Sequence, residues 1–374
     1  MGCIQTRLSI SLSRYAPNPA YCGLTDRRLP SLSVSIHHSV TLITHLLQMC
    51  DGYTYTACGL TLRSNRALPD LMPADADAPI DVQVDLMIEE EPRPPSAEVE
   101  KLLSGAQVLS KPDGTYFHLW FRGDGQLDFE IDAKGTRISA TWTLSVIEEV
   151  TALLLGQVLG CVLRLRGILC LHACAIKIGE HAAVIVGHSG IGKSTLAAAL
   201  AKQGYAILSD DIAVLDDCGD RRWLALPGYP RLRLWPETIQ ALYGPEDHLA
   251  RIFSFTKKRF VSLSDDSTRE TAWRFQSQPL PLGALYVLGE RKAGLTAPII
   301  EPMPPTTAVM ALMAHRALNH LYLQLNPDKQ AHEFAGLSRV AMEVPTRHVI
   351  CNDGLDALPR LCEAIVEDLS TLTF

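Results

Sequence analysis

The chain has 374 residues, 47% hydrophobic and 20% charged, with 34 Lys and Arg against 41 Asp and Glu for a net charge of −7. That length exceeds one ordinary domain, and the balance suits a globular protein with a large core. An acidic chain with pI near 5.9 argues against nucleic acid and an anionic membrane as main partners, since both favour a basic face.

Residues 1–48 mix Ser, Pro, Arg and His without a sustained period. Disorder is expected there, apart from a short helix at 40–49, and Met49 offers an alternative start. Met1-Gly2 with Thr6 fits the loose myristoylation pattern, which is too short to carry weight alone. No basic, apolar and cleavage regions of a signal peptide follow.

Ordered structure is expected from Tyr53. Tyr55, Ala57, Gly59, Leu60 and Leu62 read as one strand, closed by Leu68-Pro69-Asp70-Leu71. Ile80, Val82, Val84 and Leu86 alternate with polar residues, the period of a half-buried strand. Pro92, Pro94 and Pro95 make a linker-like break. Phe117, Leu119, Phe121 and then Leu127, Phe129, Ile131 alternate on either side of a Gly123-Asp124-Gly125 turn. Residues 53–142 therefore read as a small, mainly β domain without a catalytic constellation.

A second domain, α/β, is expected over 144–374. Val146, Val150, Leu153, Leu154, Gln157, Val158 and residues 161–163 form a helical, buried segment. Its apolar stretch, 150–163, is broken by Gly156, Gln157 and Gly160 and is too short to span a bilayer. A run at 168–173 leads into a strand pair at 175–177 and 182–186, joined by Gly179-Glu180. Beyond a helix at 193–202, strands are expected at 205–208, 212–215, 223–226 and 285–288. Helices are expected at 304–318, 328–340 and 355–369.

Ten cysteines are present, and Cys170 and Cys174 have no second pair at zinc-finger spacing. Cys161, Cys170 and Cys174 lie among apolar residues and read as buried reduced thiols. Such usage fits a reducing cytoplasm.

The segment Gly187-His188-Ser189-Gly190-Ile191-Gly192-Lys193-Ser194 satisfies G-x-x-x-x-G-K-[ST]. An apolar run enters it and the helix former Thr195-Leu196-Ala197-Ala198-Ala199-Leu200-Ala201 leaves it, the context a phosphate loop requires. Glycines at 187, 190 and 192 let backbone N–H groups face phosphate oxygens, and the helix N-terminus adds positive potential. Lys193 supplies a charge toward the β- and γ-phosphates, and the Ser194 hydroxyl a ligand for Mg²⁺. The expected nucleotide contacts are Gly187, Ser189, Gly190, Ile191, Gly192, Lys193, Ser194 and Thr195.

Sixteen residues beyond Ser194, Leu208-Ser209-Asp210-Asp211 ends the next strand. Adjacent carboxylates beside a triphosphate suit a metal ligand and a proton acceptor. Asp216-Asp217, before Cys218-Gly219, reads as an exposed turn. His172 is either a satisfied core histidine or a group near the γ-phosphate. Arg231, Arg233 and Lys257-Lys258-Arg259 are candidates to steady the transferring group, with charged surface as the alternative.

The stretch from His172 to Asp211 resembles the catalytic domain of the HPr kinase/phosphorylase family, where a histidine run, strand pair, P-loop and Asp-Asp strand end follow in this order. The resemblance implies a P-loop kinase fold of the HPr kinase/phosphoenolpyruvate carboxykinase type, α/β with a mixed sheet, after the small mainly β N-terminal domain. It implies ATP and Mg²⁺ as cofactors, His172 assisting phosphate chemistry and Asp210 as general base. Ser194 and Asp211 would then support the metal. His188 and Thr195 stand where that family has Asp and Glu, and the segment from Gly228 to Pro236 lacks its acidic ligand.

A closer likeness is to the HPr-kinase-like kinases of lasso peptide biosynthesis. It rests on Cys-Gly-Leu-Thr-Leu-Arg-Ser followed by Leu-Pro-Asp-Leu near residues 58–71, on the Arg-Gly-x-x-x-Leu-His-Ala run at 166–173, and on Arg233-Leu234-Trp235-Pro236. This likeness implies transfer of phosphate to a serine of a small peptide or protein, and it is compatible with a homo-oligomer. The alternatives are an HPr serine kinase/phosphorylase and, from another class, a nucleotide-gated scaffold. Neither a nucleic-acid nor a membrane partner is expected.

Overall fold

Two mixed β-sheets and the helices packed on them form a mixed α/β architecture. The computed structural model describes residues 52–75, 77–89, 104–122, 125–143, 146–244, 249–253, 256–263, 273–318 and 327–373. The expected 1–48 extension with its 40–49 helix, the Pro92, Pro94 and Pro95 linker, and Gly123-Asp124 of the expected turn lie outside these residues.

The first sheet, among the described residues, has eight strands in the order β3-β1-β2-β4-β8-β7-β6-β5. They are β1 (Tyr53–Ala57), β2 (Leu60–Ser64), β3 (Met72–Pro73), β4 (Val82–Ile88), β5 (Ser104–Lys111), β6 (Gly114–Arg122), β7 (Gln126–Asp132) and β8 (Arg137–Trp142). The single strand expected around Gly59 is in fact a hairpin. Cys58 and Gly59 both have positive φ, 55° and 75°, which closes β1 onto β2 in a two-residue turn whose twist matches the flanking strands. Strict alternation in β7, with Leu127, Phe129 and Ile131 buried, places one face of the sheet on the core.

That face packs on a helical segment that is buried nearly all round from Val150 to Leu165, Gln157 excepted. It comprises α1 (Ile147–Leu153), a π-helical turn (Leu154–Val158) and α2 (Leu159–Leu165). The expected continuous helix is thus interrupted at its middle, around Gly156. Here the turn packs against Arg233 and Asp211, which leave no room for a Cβ at Gly156.

The second sheet carries the site. Its path is β12-β10-β11-β17-β14-β13-β9, with β19 added alongside β17 and β18 alongside β19. The strands are β9 (Leu169–Leu171), β10 (Ala173–Ile178), β11 (His181–Val186), β12 (Ile207–Ser209), β13 (Ala213–Asp217), β14 (Trp223–Leu226), β17 (Leu280–Leu288), β18 (Ile299–Pro302) and β19 (Thr346–Ile350). A separate ribbon pairs β15 (Arg231–Leu234) with β16 (Arg259–Ser262). β15, β16, β18 and β19 were not expected from the sequence. Each is four or five residues long, too short for a period to stand out.

β11, β17 and β19 run parallel, so the loops after them open on one edge, where ligands of such sheets collect. β11 is buried from Ala182 to Val186, the continuous apolar run that a strand covered on both faces requires. Helices α3 (Lys193–Lys202), α4 (Pro236–Tyr243) and α7 (Leu358–Thr371) contribute to one apolar core. Helices α5 (Pro305–Ala314) and α6 (Pro327–Glu343) contribute to another, so the sheet is covered on both faces. Asp216 and Asp217, expected in a turn, end β13 instead; both are exposed, and Asp217 pairs with Arg339.

Candidate functional site

The loop between β11 and α3 turns on two glycines in the left-handed region. Gly190 has φ 82° and Gly192 φ 110°, conformations that cost a residue bearing Cβ. At Gly192 space is a second constraint, because a Cβ would lie 2.7 Å from Arg291 Nη2. Arg291 donates through that nitrogen to the Ile191 carbonyl at 2.7 Å and pairs with Asp353. A cation from the end of β17 therefore clasps the loop from outside.

Lys193 is buried at the start of α3 and donates to the carbonyls of Gly187 at 2.8 Å and His188 at 3.1 Å. Burial lowers its pKa, against the opposing pull of Cys174, Asp210 and Asp211. The ammonium group thus lies over the loop, held by two of its carbonyls. Ser189 and Gly190 are exposed, while Ile191, Ser194 and Thr195 are half-buried.

Asp210 and Asp211 follow β12 directly, and the backbone sends their carboxylates to different partners. Asp210 is nearly fully buried and accepts three hydrogen bonds: from Ser194 Oγ at 2.8 Å, Cys174 Sγ at 2.9 Å and the Arg233 backbone N–H at 2.9 Å. Asp211 has φ 75°, a left-handed conformation that persists in a non-glycine residue only where its surroundings hold it. Its holders are Arg233, donating from Nη1 at 2.8 Å, and His172, whose Nδ1 lies 3.2 Å from Asp211 Oδ1 and 3.0 Å from its carbonyl. A carbonyl can only accept, so Nδ1 carries the hydrogen, and in the neutral ring Nε2 is the acceptor.

Burial by itself would raise the Asp211 pKa. The Arg233 charge and the His172 hydrogen bond outweigh it and hold the carboxyl well below the usual range. Arg233 in turn is stabilised as a cation by both aspartates against its own burial. The resemblance implies Ser194 on Mg²⁺ and Asp211 supporting metal or geometry; in the structure Ser194 bonds Asp210, and Asp211 turns toward Arg233 and His172.

These groups line one cleft of about 330 Å³, shared with Trp235, Phe253 and Lys258. Of the basic candidates, Arg231 is committed to Asp70 at 2.7 Å and Lys257 is exposed. Arg233 serves Asp211, and Lys258 stands at the cleft, 5.4 Å from the Trp235 ring centre. The interrupted helix also has its reason here. Arg233 Nη2 donates to the Ala152 carbonyl at 2.8 Å, and a Cβ on Gly156 would lie 3.0 Å from both that nitrogen and Asp211 Oδ2.

Sequence reasoning missed three participants. Cys174 reads as core filler but donates to Asp210. Arg291 had no motif. His315, after α5, packs edge-on against His188 at 4.7 Å between ring centres and accepts the His172 backbone N–H on its carbonyl at 2.7 Å. Burial, reinforced by His188, Lys193 and His172, lowers its pKa to about 4. Only the fold brings it to the loop.

No group of three or more metal-ligating side chains occurs among the described residues. Mg²⁺ beside a triphosphate ordinarily takes one or two protein ligands and completes its shell with phosphate and water. The Ser194 hydroxyl joined to Asp210 is such a donor set, so the residues fit the ion.

No helix among the described residues is long and apolar enough to cross a membrane. No protein-family model matches the chain, and no curated protein matches it. Among solved structures, the chain is similar to the HPr(Ser) kinase/phosphatase from Coxiella burnetii at 11% identity and TM-score 0.27, covering 53% of this chain and 94% of that one. At that TM-score the likeness carries no weight, and the chemistry of the cleft rests on its own geometry.

Proposed function

We propose that this chain is an ATP-dependent phosphotransferase that moves a γ-phosphate to a serine hydroxyl of a small peptide or protein. The observation that carries this reading is the meeting of Lys193, Ser194, Asp210, Asp211, Arg233 and His172 at one cleft beside a glycine-turned loop. Phosphoryl transfer needs positioning and charge stabilisation more than covalent chemistry, and the cleft supplies both.

In this reading the loop N–H groups and Lys193 hold the triphosphate. The Ser194 oxygen would hold Mg²⁺ while its hydrogen stays on Asp210, and the ion when bound neutralises charge on the β- and γ-phosphates. Asp210 has four acceptor positions and three protein donors, which leaves one to receive the hydroxyl proton. Asp211, kept ionised by Arg233, does not take that proton; it orients His172 toward the cleft. Lys258 and the exposed Trp235 ring line the cleft and in this reading meet the acceptor. A lasso-precursor-type peptide is the favoured acceptor, from the sequence resemblance. As a cytoplasmic enzyme it would work in the reducing compartment its buried thiols suit.

The test is incubation with Mg-ATP and small peptides encoded beside the gene, read by mass spectrometry, with Asp210→Asn and Lys193→Ala as controls. Phosphate on a serine, lost in both variants, is expected. Tight ATP binding without transfer to any peptide or to HPr would replace the kinase reading with a nucleotide-gated binding protein.

A further inference from the structure

A second cavity adjoins the acidic cleft at the phosphate loop. It has about 100 Å³ of free volume and shares Gly192 and Thr195 with that cleft. Its other walls come from the ends of the two strands that run parallel to β11: Leu288 and Arg291 at the end of β17, then Asn352, Leu355 and Leu358 after β19. The volume is below the roughly 300–1,000 Å³ of a site for a whole drug-sized ligand, so the cavity suits one flat fragment of a larger molecule.

We infer that this cavity seats the adenine ring of the nucleotide whose phosphates lie on residues 187–194. The inference rests on the phosphate-loop reading and extends it to the base. Continuity is the first support: the cavity and the acidic cleft meet at Gly192 and Thr195, so a ligand on the loop borders both. The walls are the second. Leu355 is 39% exposed although it borders a cavity, an apolar surface that a ring would cover.

Polar complementarity selects the base. Asn352 is half-buried at the rim and has no hydrogen bond to another described residue. Its amide carries two N–H donors and a carbonyl acceptor, so it meets both the N6 donor and the N7 acceptor of the adenine edge. Guanine presents two acceptors on that edge and calls for an arginine fork. Arg291, the arginine at this cavity, has its guanidinium committed to the Ile191 carbonyl and to Asp353.

The experiment measures the affinity of the full chain for ATP, GTP and inorganic tripolyphosphate by calorimetry. Ala357→Trp places a ring in the cavity from a half-buried turn position. It should weaken ATP about tenfold or more, the worth of a lost base contact, and leave tripolyphosphate unchanged. Asn352→Ala should erase most of the preference for ATP over GTP. Should Ala357→Trp also lose tripolyphosphate, Leu355→Ala and Asn352→Ala decide with the same probes, since both only shorten side chains at the rim. ATP binding unaffected in these variants, or no tighter than tripolyphosphate in the parent chain, overturns the adenine seat and leaves the phosphate loop standing. A parent chain that binds neither ligand overturns the phosphate-loop reading itself.

Discussion

Arg233 and Asp211 form an ion pair at 2.8 Å in which both side chains are more than three-quarters shielded from solvent. Removing one member strands the other away from water. Arg233→Met should therefore destabilise the chain by about 2–4 kcal/mol, measured by urea unfolding. The pH dependence has a definite sign. The folded Asp211 pKa is depressed, so its contribution is full above the unfolded value of about 3.9 and is lost as pH falls below it. The gap between the parent chain and Arg233→Met should be widest near pH 7 and narrow as pH falls, first as the unpaired Asp211 of the variant takes up a proton and then below pH 4 as the parent loses the pair. A gap that widens on acidification would contradict the pairing.

His315 predicts a slope in another pH window. Its folded pKa of about 4 lies below the unfolded value of about 6.5, so the unfolded chain binds the extra proton as pH drops between them. Stability should fall across that window, by roughly 1–3 kcal/mol at pH 4.5. His315→Asn should flatten the slope in thermal melts without altering it above pH 7.

Gly156 tests the link between helix winding and the cleft. A methyl there meets Arg233 and Asp211 at 3.0 Å, within a packed helical segment. Gly156→Ala should cost about 1–3 kcal/mol, the range of overpacking, although alanine ordinarily favours helix. Phosphate transfer should fall with it. Unchanged or raised stability would show that the Arg233 side chain can move aside freely.

Asp210→Asn should lower the rate of phosphate transfer by about 10²–10⁴-fold, the usual worth of a proton acceptor. ATP affinity should change only a few-fold, because the loop N–H groups and Lys193 remain. Lys193→Ala is the opposite case. Losing a charge-assisted contact of about 1.5–3 kcal/mol should weaken ATP by roughly 10–150-fold. Radiolabelled transfer and equilibrium binding separate the two outcomes.

The parts of this protein legible in the sequence are those built from contiguous residues. The strand, glycine loop and helix around Lys193 follow from an apolar run, two residues that tolerate positive φ and an alanine-rich segment, all local properties. The alternation of Leu127, Phe129 and Ile131 likewise announces a half-buried strand. Where a single residue redirects the chain, periodicity does not show it: Gly59 turns an expected strand into a hairpin, and Gly156 divides an expected helix.

The tertiary structure alone decides which partners each carboxylate has. Asp210 and Asp211 are neighbours with the same chemistry, and their separate partners are set by a left-handed backbone at Asp211 and by β15, which delivers the Arg233 N–H to one and its guanidinium to the other. His315 and Arg291 reach the loop from α5 and the end of β17, and Asn352 reaches the second cavity from beyond β19. Periodicity and motif spacing report what neighbours along the chain can do. A cleft assembled at the ends of parallel strands draws its residues from segments far apart in sequence, and only the packing of those strands brings their charges and ring nitrogens within hydrogen-bond reach.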